Sequence, residues 1–205
     1  MSLTLRVNID EDQVKFLKEQ GFDLFLAKLV KDQAKANAIW KSNSAYVASN
    51  TFQWHPVYAI AGSETVKPGA LISASTKVKP IGYGQSIEID KDGNITNPTN
   101  PVNPGQPFRL ANRSPNTNFA AAVYAVDPAD PKAEFSNPFF ISKSLGKDFT
   151  VDILPLETVV LWFGQAQKTS TVIADYSGPI LTVVYGEGDS THTAKWTKGG
   201  WELVV

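Results

Sequence analysis

Few residues in the chain are suited to acid–base or metal chemistry. There are two histidines, His55 and His192, and no cysteine. A zinc site or a histidine general base usually needs acidic or histidine partners at a fixed spacing. His55 lies between a tryptophan and a proline, and His192 lies between two threonines, so neither belongs to such a pattern. The sequence also contains no nucleophile elbow and no phosphate-binding loop. These residues predict no catalytic site, no metal and no cofactor, and they favour a protein that is not an enzyme.

Two acidic segments could be considered for calcium. The segment 90–94 resembles the start of an EF-hand loop, but its sixth position is Ile95 and its twelfth is Pro101, where the motif requires glycine and glutamate. A hairpin tip is therefore favoured there. The second segment is a proline-containing loop whose composition is typical of a solvated turn; its carboxylates are Asp127, Asp130 and Glu134.

Glu157 and Asp175 are two further carboxylates to consider as a catalytic pair, since each lies beside an apolar stretch that is expected to form a strand. Paired carboxylates hydrolyse glycosidic bonds when they lie roughly 5 to 9.5 Å apart. The sequence does not fix the separation of these two, so it gives no support to a hydrolase.

The aromatic residues suggest binding. Five tryptophans occur in 205 residues, and Trp54, Tyr58, Trp196 and Trp201 lie among polar neighbours. Carbohydrate-binding surfaces use flat aromatic faces beside amides and hydroxyls, although tryptophans in β-sandwiches also pack in the core or at its rim. We predict that these four residues bind a carbohydrate or another surface ligand, with Trp54 and Trp196 the best candidates.

These residues must be positioned by a framework of strands, and its centre is the stretch 158–185. The runs 159–163 and 180–185 are apolar without the polar alternation of a half-exposed strand. Such runs predict strands that are covered on both faces. A second sheet supplies one cover. The other could be a short N-terminal helix, and any face left over is a candidate interface with a ligand or another chain.

The N-terminus predicts one strand followed by that helix. Residues 3–8 alternate apolar and polar side chains, as in a half-buried strand. Asp10 is a candidate N-cap with Gln13 as its capping-box partner, and Gly21 is a candidate stop. The apolar side of the helix is expected to contain Val14, Leu17 and also Phe16.

The remaining sequence predicts short strands separated by Gly, Pro, Asn and Asp turns. Pro56 lies within a strand over 51–60, which places that strand at an edge or gives it a bulge. The pattern favours an all-β fold, a two-sheet antiparallel β-sandwich of the jelly-roll type with one short N-terminal helix. Further strands are expected at 22–30, 38–41, 70–78, 85–90, 108–110, 118–126, 149–153, 191–196 and 201–205.

Between Asn97 and Pro107 proline recurs at every third residue, which matches the period of polyproline II. We interpret 97–107 as a stiff crossover connecting the sheets of a single domain, 1–205. Docking of a proline-recognising partner there is the alternative.

The net charge and hydropathy of the sequence limit the expected binding partners and cellular compartment. The net charge is −1, with 19 basic and 20 acidic residues, so nucleic acid is not expected as a partner. No apolar run approaches the roughly 18 residues of a transmembrane helix, and Met1–Arg6 lacks a signal-peptide pattern. We expect a cytoplasmic protein, although a secreted form that has lost its signal peptide remains open.

A cysteine-free β-sandwich of this length with one amphipathic helix resembles the actinoporin-like pore formers and the fungal lectins that share their fold. The string at 135–139, Phe-Ser-Asn-Pro-Phe, is similar to the loop preceding their membrane-binding aromatics. The chain departs from them at 141–144 and in having a strand before the helix, so the resemblance is an analogy and not membership. We predict a non-enzymatic, lectin-like binding protein. The alternative is a self-associating structural or pore-forming defence or toxin protein, present as a homo-oligomer.

Overall fold

The computed structural model describes residues 2–64, 66–126, 135, 137–165, 167–174 and 176–204. These residues form fourteen strands and one helix, α1 (Glu11–Glu19), which confirms the all-β fold with a short N-terminal helix. The strands are β1 (Leu3–Ile9), β2 (Asp23–Val30), β3 (Lys41–Asn43), β4 (Ser49–Ser63), β5 (Lys79–Ile81), β6 (Ser86–Ile89), β7 (Phe108–Asn112), β8 (Ala120–Val126), β9 (Asn137–Ile141), β10 (Thr150–Ile153), β11 (Pro155–Gly164), β12 (Ile180–Val184), β13 (Thr191–Thr197) and β14 (Gly200–Val204).

The described strands form three sheets around one shared apolar core. The largest has the order β14-β13-β1-β4-β8-β9, with β5 also paired to β4. A four-stranded sheet has the order β12-β11-β2-β3, and a three-stranded sheet has the order β10-β7-β6. Most pairs are antiparallel, but β1 pairs with β13 and β6 with β7 in parallel. The main core contains side chains from all three sheets.

The central stretch forms β11 and β12, and loops cover the outer face of β11. The outer face of β12 is open, with Ile180 48% and Val184 61% exposed, so the prediction of two covered faces was wrong for this strand. On β2 and β11, alternate side chains point away from the main core into a separate apolar cluster. Residues from the loops 31–40 and 165–179 close this cluster, and the helix instead contributes Leu17 to the main core. A third cluster lies on the outer face of β4 and β8, where alanines from both strands pack against Ala38, Ile72 and Val172.

The helix begins after Asp10 and ends before Gly21, as predicted, but the predicted side-chain cap is not made. Gly21 has a φ of 71°, and the bonds Gly21 N to Lys18 O (3.0 Å) and Phe22 N to Leu17 O (3.0 Å) form a Schellman motif. At the start, the Asp10 side chain makes no capping hydrogen bond, and its carboxylate lies 3.2 Å from Lys195 Nζ. The predicted capping box was therefore wrong, because a cation from β13 engages the capping group.

Phe16 was also assigned wrongly to the buried side of the helix, since its side chain is 52% exposed. Leu17 is buried, and Val14 packs against the core as expected.

Pro56 marks a bulge, as its missing N–H predicted. The β4–β8 register shifts between His55 and Tyr58, which lie opposite Val126 and Ala125. The bulge lets one long strand pair with β1 through its first half and with β8 through its second.

Two further expectations were wrong. Residues 70–78, expected to be a strand, form none, and within them Leu71 makes one isolated bridge to Thr171. The proline-rich segment connects β6 and β7, two parallel strands of the same sheet. It does not form one continuous polyproline helix, because Asn100 and Gly105 have φ values of 69° and 77°.

Candidate functional site

The most unusual group in the core is the ammonium group of Lys28. In β2 the side chains of Leu24, Leu26 and Val30 enter the main core, and strand alternation gives Lys28 the same direction. The residue is 1% exposed. A buried lysine is costly unless its charge is paired, so its partner determines what this site can do.

That partner is Glu157, which an irregularity in β11 brings into position. The residues Pro155 and Val159 lie opposite Val30 and Lys28, so β11 has two more residues than β2 over this interval. The Glu157 carbonyl accepts a hydrogen bond from Tyr185 N at 2.8 Å, which fixes the backbone. Its Oε2 atom lies 3.0 Å from Lys28 Nζ. The extra residues thus direct a carboxylate toward a cation on the neighbouring strand.

Two aromatic residues of β4 complete the hydrogen bonds of the carboxylate. Trp54 Nε1 donates to Glu157 Oε2 at 3.1 Å, and the Tyr58 hydroxyl donates to Oε1. Tyr58 in turn contacts Tyr83, whose ring centroid is 5.8 Å away. Since β4 belongs to the large sheet and β11 to the four-stranded sheet, these bonds cross the core and connect the two sheets.

The ammonium group of Lys28 is surrounded by aromatic rings. Its Nζ lies 4.9 Å from the ring centre of Trp54, 5.5 Å from that of Trp40 and 5.8 Å from that of Phe139. Aromatic faces attract cations through their quadrupole, and the attraction is stronger where water is excluded. The rings therefore supply part of the stabilisation that the ammonium group loses on leaving water.

The environment shifts the ionisation of all three polar groups. Burial lowers the pKa of Lys28, and the charge and hydrogen bond of Glu157 offset part of that effect. Burial acts to raise the pKa of Glu157, but the Lys28 charge and the hydrogen bonds from Tyr58, Trp54 and Lys28 outweigh it, so that pKa is lowered. Burial and the neighbouring carboxylate raise the pKa of Tyr58 well above its ordinary value. Glu157 is consequently ionised at neutral pH and is a weak base.

This arrangement favours cross-linking of the sheets over catalysis. A carboxylate held by three donors has little tendency to take a proton from a substrate. Within the part of the chain that the structure describes, no three His, Asp or Glu side chains converge as metal ligands. Asp175, the other member of the carboxylate pair, and the loop acids Asp127, Asp130 and Glu134 lie outside the described residues.

Acid should destabilise the protein partly through Glu157. Because the folded-state pKa of this group lies below the ordinary value of 4.5, the native state binds fewer protons than the unfolded state. The stabilisation is present above about pH 4.5 and is lost as the pH falls through the folded-state pKa. We expect urea unfolding curves to depend less on pH below 4.5 in Glu157→Gln than in the unsubstituted protein. Asp152→Asn is the control: Arg109 also lowers the pKa of Asp152, but this ion pair is exposed and screened by solvent, so the effect should be smaller. An equal effect of the two substitutions would contradict the assignment.

The four predicted ligand-binding residues fall into two separate places. Trp54 is fully buried and Tyr58 is 2% exposed, and both belong to the Lys28–Glu157 cluster. A ligand at the surface could reach them only if the core opened. Trp196 and Trp201 retain some exposure and face each other as a cross-strand pair of the β13–β14 hairpin.

Trp196 and Trp201 pack against Phe163 at one end of the core. The ring of Trp201 is stacked on that of Phe163 at 5.2 Å with an interplanar angle of 4°, and Trp196 meets both rings edge-on at 5.2 and 5.0 Å. Both indole Nε1 atoms are buried without a hydrogen-bond partner. Of the four predicted residues, these two are the ones that are not buried.

Sequence reasoning overlooked Lys28 and the free edge of β12. The signal for Lys28 was present, since it is the one charged residue between Leu24 and Val30 and shares their phase. The signal for β12, which ends the four-stranded sheet, was its composition of Ile-Leu-Thr-Val-Val without charge or proline.

No known protein family, curated protein or solved structure matches the chain. In the described part of the chain, no helix has the length and apolar character needed to cross a bilayer.

Proposed function

We propose that the protein is a non-enzymatic component that assembles with copies of itself through the free edge of β12. The observation that carries the proposal is the composition of this edge. β12 contains no charge and no proline, and Ile180 and Val184 on its outer face are 48% and 61% exposed. Unprotected apolar edges pair readily with other strands, so soluble proteins usually interrupt them.

The other edge strands of the described sheets carry such interruptions. Each contains a charged residue or a proline, which disfavours pairing with a second chain. These residues are Lys41 in β3, Pro80 in β5, Glu88 in β6, Pro138 in β9, Asp152 in β10 and Glu202 in β14. β14 approaches β12 but does not pair with it. The lack of protection is therefore specific to β12 among these edges.

The backbone groups available at this edge follow from the ladder with β11. Tyr185 N donates to Glu157 O, in the same register that places Val184 opposite Thr158. Because antiparallel strands alternate in the direction of their hydrogen bonds, the N–H and C=O groups of Ile180, Thr182 and Val184 face away from β11. These groups are the ones that a second strand would bind.

A second copy of β12 fits this edge in an antiparallel arrangement around Thr182. A twofold axis there places Thr182 opposite its equivalent and Ile180 opposite Val184 of the other copy. Threonine pairs and pairs of β-branched residues both favour adjacent antiparallel strands. The contact contains no charge to repel its own copy, and it has the closed symmetry of most homo-oligomers.

Sedimentation velocity over a range of concentrations tests the proposal. We expect the sedimentation coefficient to rise with concentration toward that of a dimer. A monomer at every concentration would contradict the proposal, and association that persists when the β12 edge carries a charge would assign it to another surface.

Carbohydrate binding is the second candidate function, and the partial exposure of Trp196 and Trp201 favours it. On a glycan array, Trp201→Phe should weaken binding because it reduces the stacking area, whereas the buried Trp54→Phe should leave binding unchanged. Absence of binding to every glycan would exclude this form of the proposal.

A further inference from the structure

A cleft of about 250 Å³ lies on the outer face of the four-stranded sheet. Its floor is formed by Leu29 of β2, Val160 of β11 and the outward side chains of β12. Residues 34–36 from one loop and Tyr176 and Gly178 from another form its walls. The cleft is a recess left where the two covering loops meet, next to the apolar cluster beneath them.

The lining combines an apolar floor with one cation. Leu29, Val160 and Ile180 offer no hydrogen bond from their side chains. The hydroxyl of Tyr176 is already used, since it donates to Ala36 O at 2.6 Å. Lys35 Nζ lies 5.9 Å from the centre of the Tyr176 ring, and among the described residues no carboxylate lies within 4.0 Å of it. The side chains that line the cleft thus contribute mainly one positive charge, and Thr182 is also among the lining residues.

We propose that this cleft binds a small amphipathic anion, with a short alkyl group on the floor and a single negatively charged head group at Lys35. The few hydrogen-bonding groups disfavour a sugar, which would bring many hydroxyls to an apolar surface. The volume lies below the roughly 300 to 1,000 Å³ of sites for drug-sized ligands, so the ligand is correspondingly small.

This site does not depend on assembly of the protein. Pairing at β12 would use the backbone at the strand edge, whereas the cleft is lined by side chains on the sheet face. Lys35, which determines the charge preference, lies in the loop between β2 and β3 and is not part of β12. Ile180 and Thr182 line the cleft and also belong to the proposed β12 interface, so the cleft is tested at Lys35 and Ala34, which are not in β12.

Isothermal titration with n-octanoate tests the proposal, with n-octanol as the neutral analogue and acetate as the head group alone. We expect octanoate to bind more tightly than either. Lys35→Gln should weaken octanoate at least about tenfold, because a charge-assisted contact is lost, and should leave octanol unchanged. Lys31→Gln, in the same loop but outside the cleft, is the matched control.

A second variant tests the location without altering charge. Ala34 is exposed at the wall, so Ala34→Trp should fill the cleft without disturbing the core and should abolish octanoate binding. The proposal is overturned if octanoate does not bind the unsubstituted protein, if acetate binds equally well, or if Lys35→Gln and Ala34→Trp both bind octanoate normally.

Discussion

Replacement of Lys28 by methionine is expected to lower the free energy of unfolding by about 3 kcal/mol, the lower end of the range for breaking a buried ion pair. Methionine fills a similar volume, so the loss comes chiefly from Glu157, whose carboxylate would remain among Trp54, Tyr58 and the core without its cation. The side chain of Glu157 is 21% exposed, which allows water to offset part of the penalty. Urea unfolding at pH 7 measures the difference.

Two further variants separate this effect from a general loss of packing. In the double variant that combines Lys28→Met with Glu157→Gln, no unpaired carboxylate is left in the core. Its free energy of unfolding should therefore recover most of what Lys28→Met alone loses. Arg109→Met breaks the exposed pair with Asp152, and it should cost no more than about 1 kcal/mol. A double variant that is as unstable as Lys28→Met alone would show that the loss does not arise from the unpaired carboxylate.

Thr182→Lys is expected to weaken self-association at least about tenfold while leaving the monomer folded. In the proposed arrangement one substitution places two ammonium groups opposite each other at the twofold axis, and like charges in an interface are strongly unfavourable. Thr182 is exposed in the monomer, so its replacement should change the unfolding free energy little. Sedimentation equilibrium gives the dissociation constant.

Thr191→Lys is the control for the added charge itself. Thr191 is an exposed threonine at the start of β13, in the other large sheet. The Thr191→Lys variant should associate like the unsubstituted protein. Equal weakening by the two substitutions would indicate a nonspecific effect of net charge and would contradict pairing at β12.

Much of the fold was predictable because strand alternation is a local property of the sequence. The two phases of residues 119–125 illustrate this. Phe119, Ala121, Val123 and Ala125 reach the main core, and Tyr124 reaches the outer cluster, as the alternation predicted. Pro56 likewise predicted its bulge from a missing donor. Such features need no knowledge of the distant partner strands.

The polar cluster could not be predicted in the same way, because its members come from β2, β4 and β11. Trp54 has polar neighbours along the chain, yet its indole is buried against Lys28 and bonded to Glu157, about a hundred residues away in sequence. Asp10 is the N-cap residue, but the predicted capping bond of its side chain is not made for a similar reason, since Lys195 reaches the carboxylate from β13. Local patterns predicted where strands lie, and long-range pairing decided which polar groups meet.

The outer side of the central stretch was predictable only in part. Its apolar residues predicted that something packs on each face of the strands, and two long loops pack on the outer face of β2 and β11. The loops leave the cleft and the β12 edge open. Which strand ends a sheet depends on the pairing order. The importance of an uncharged edge therefore appears only when β12 is seen to have β11 as its one hydrogen-bonded neighbour among the described strands.

The most direct test of pairing at β12 is to mix two variants of opposite charge. Thr182→Lys and Thr182→Asp should each be largely monomeric. An equimolar mixture should form a one-to-one heterodimer in sedimentation velocity, because the twofold arrangement brings the two substituted residues together with complementary charges. A mixture that sediments as the sum of two monomers, or single variants that still dimerise, would contradict the pairing of β12 with its own copy.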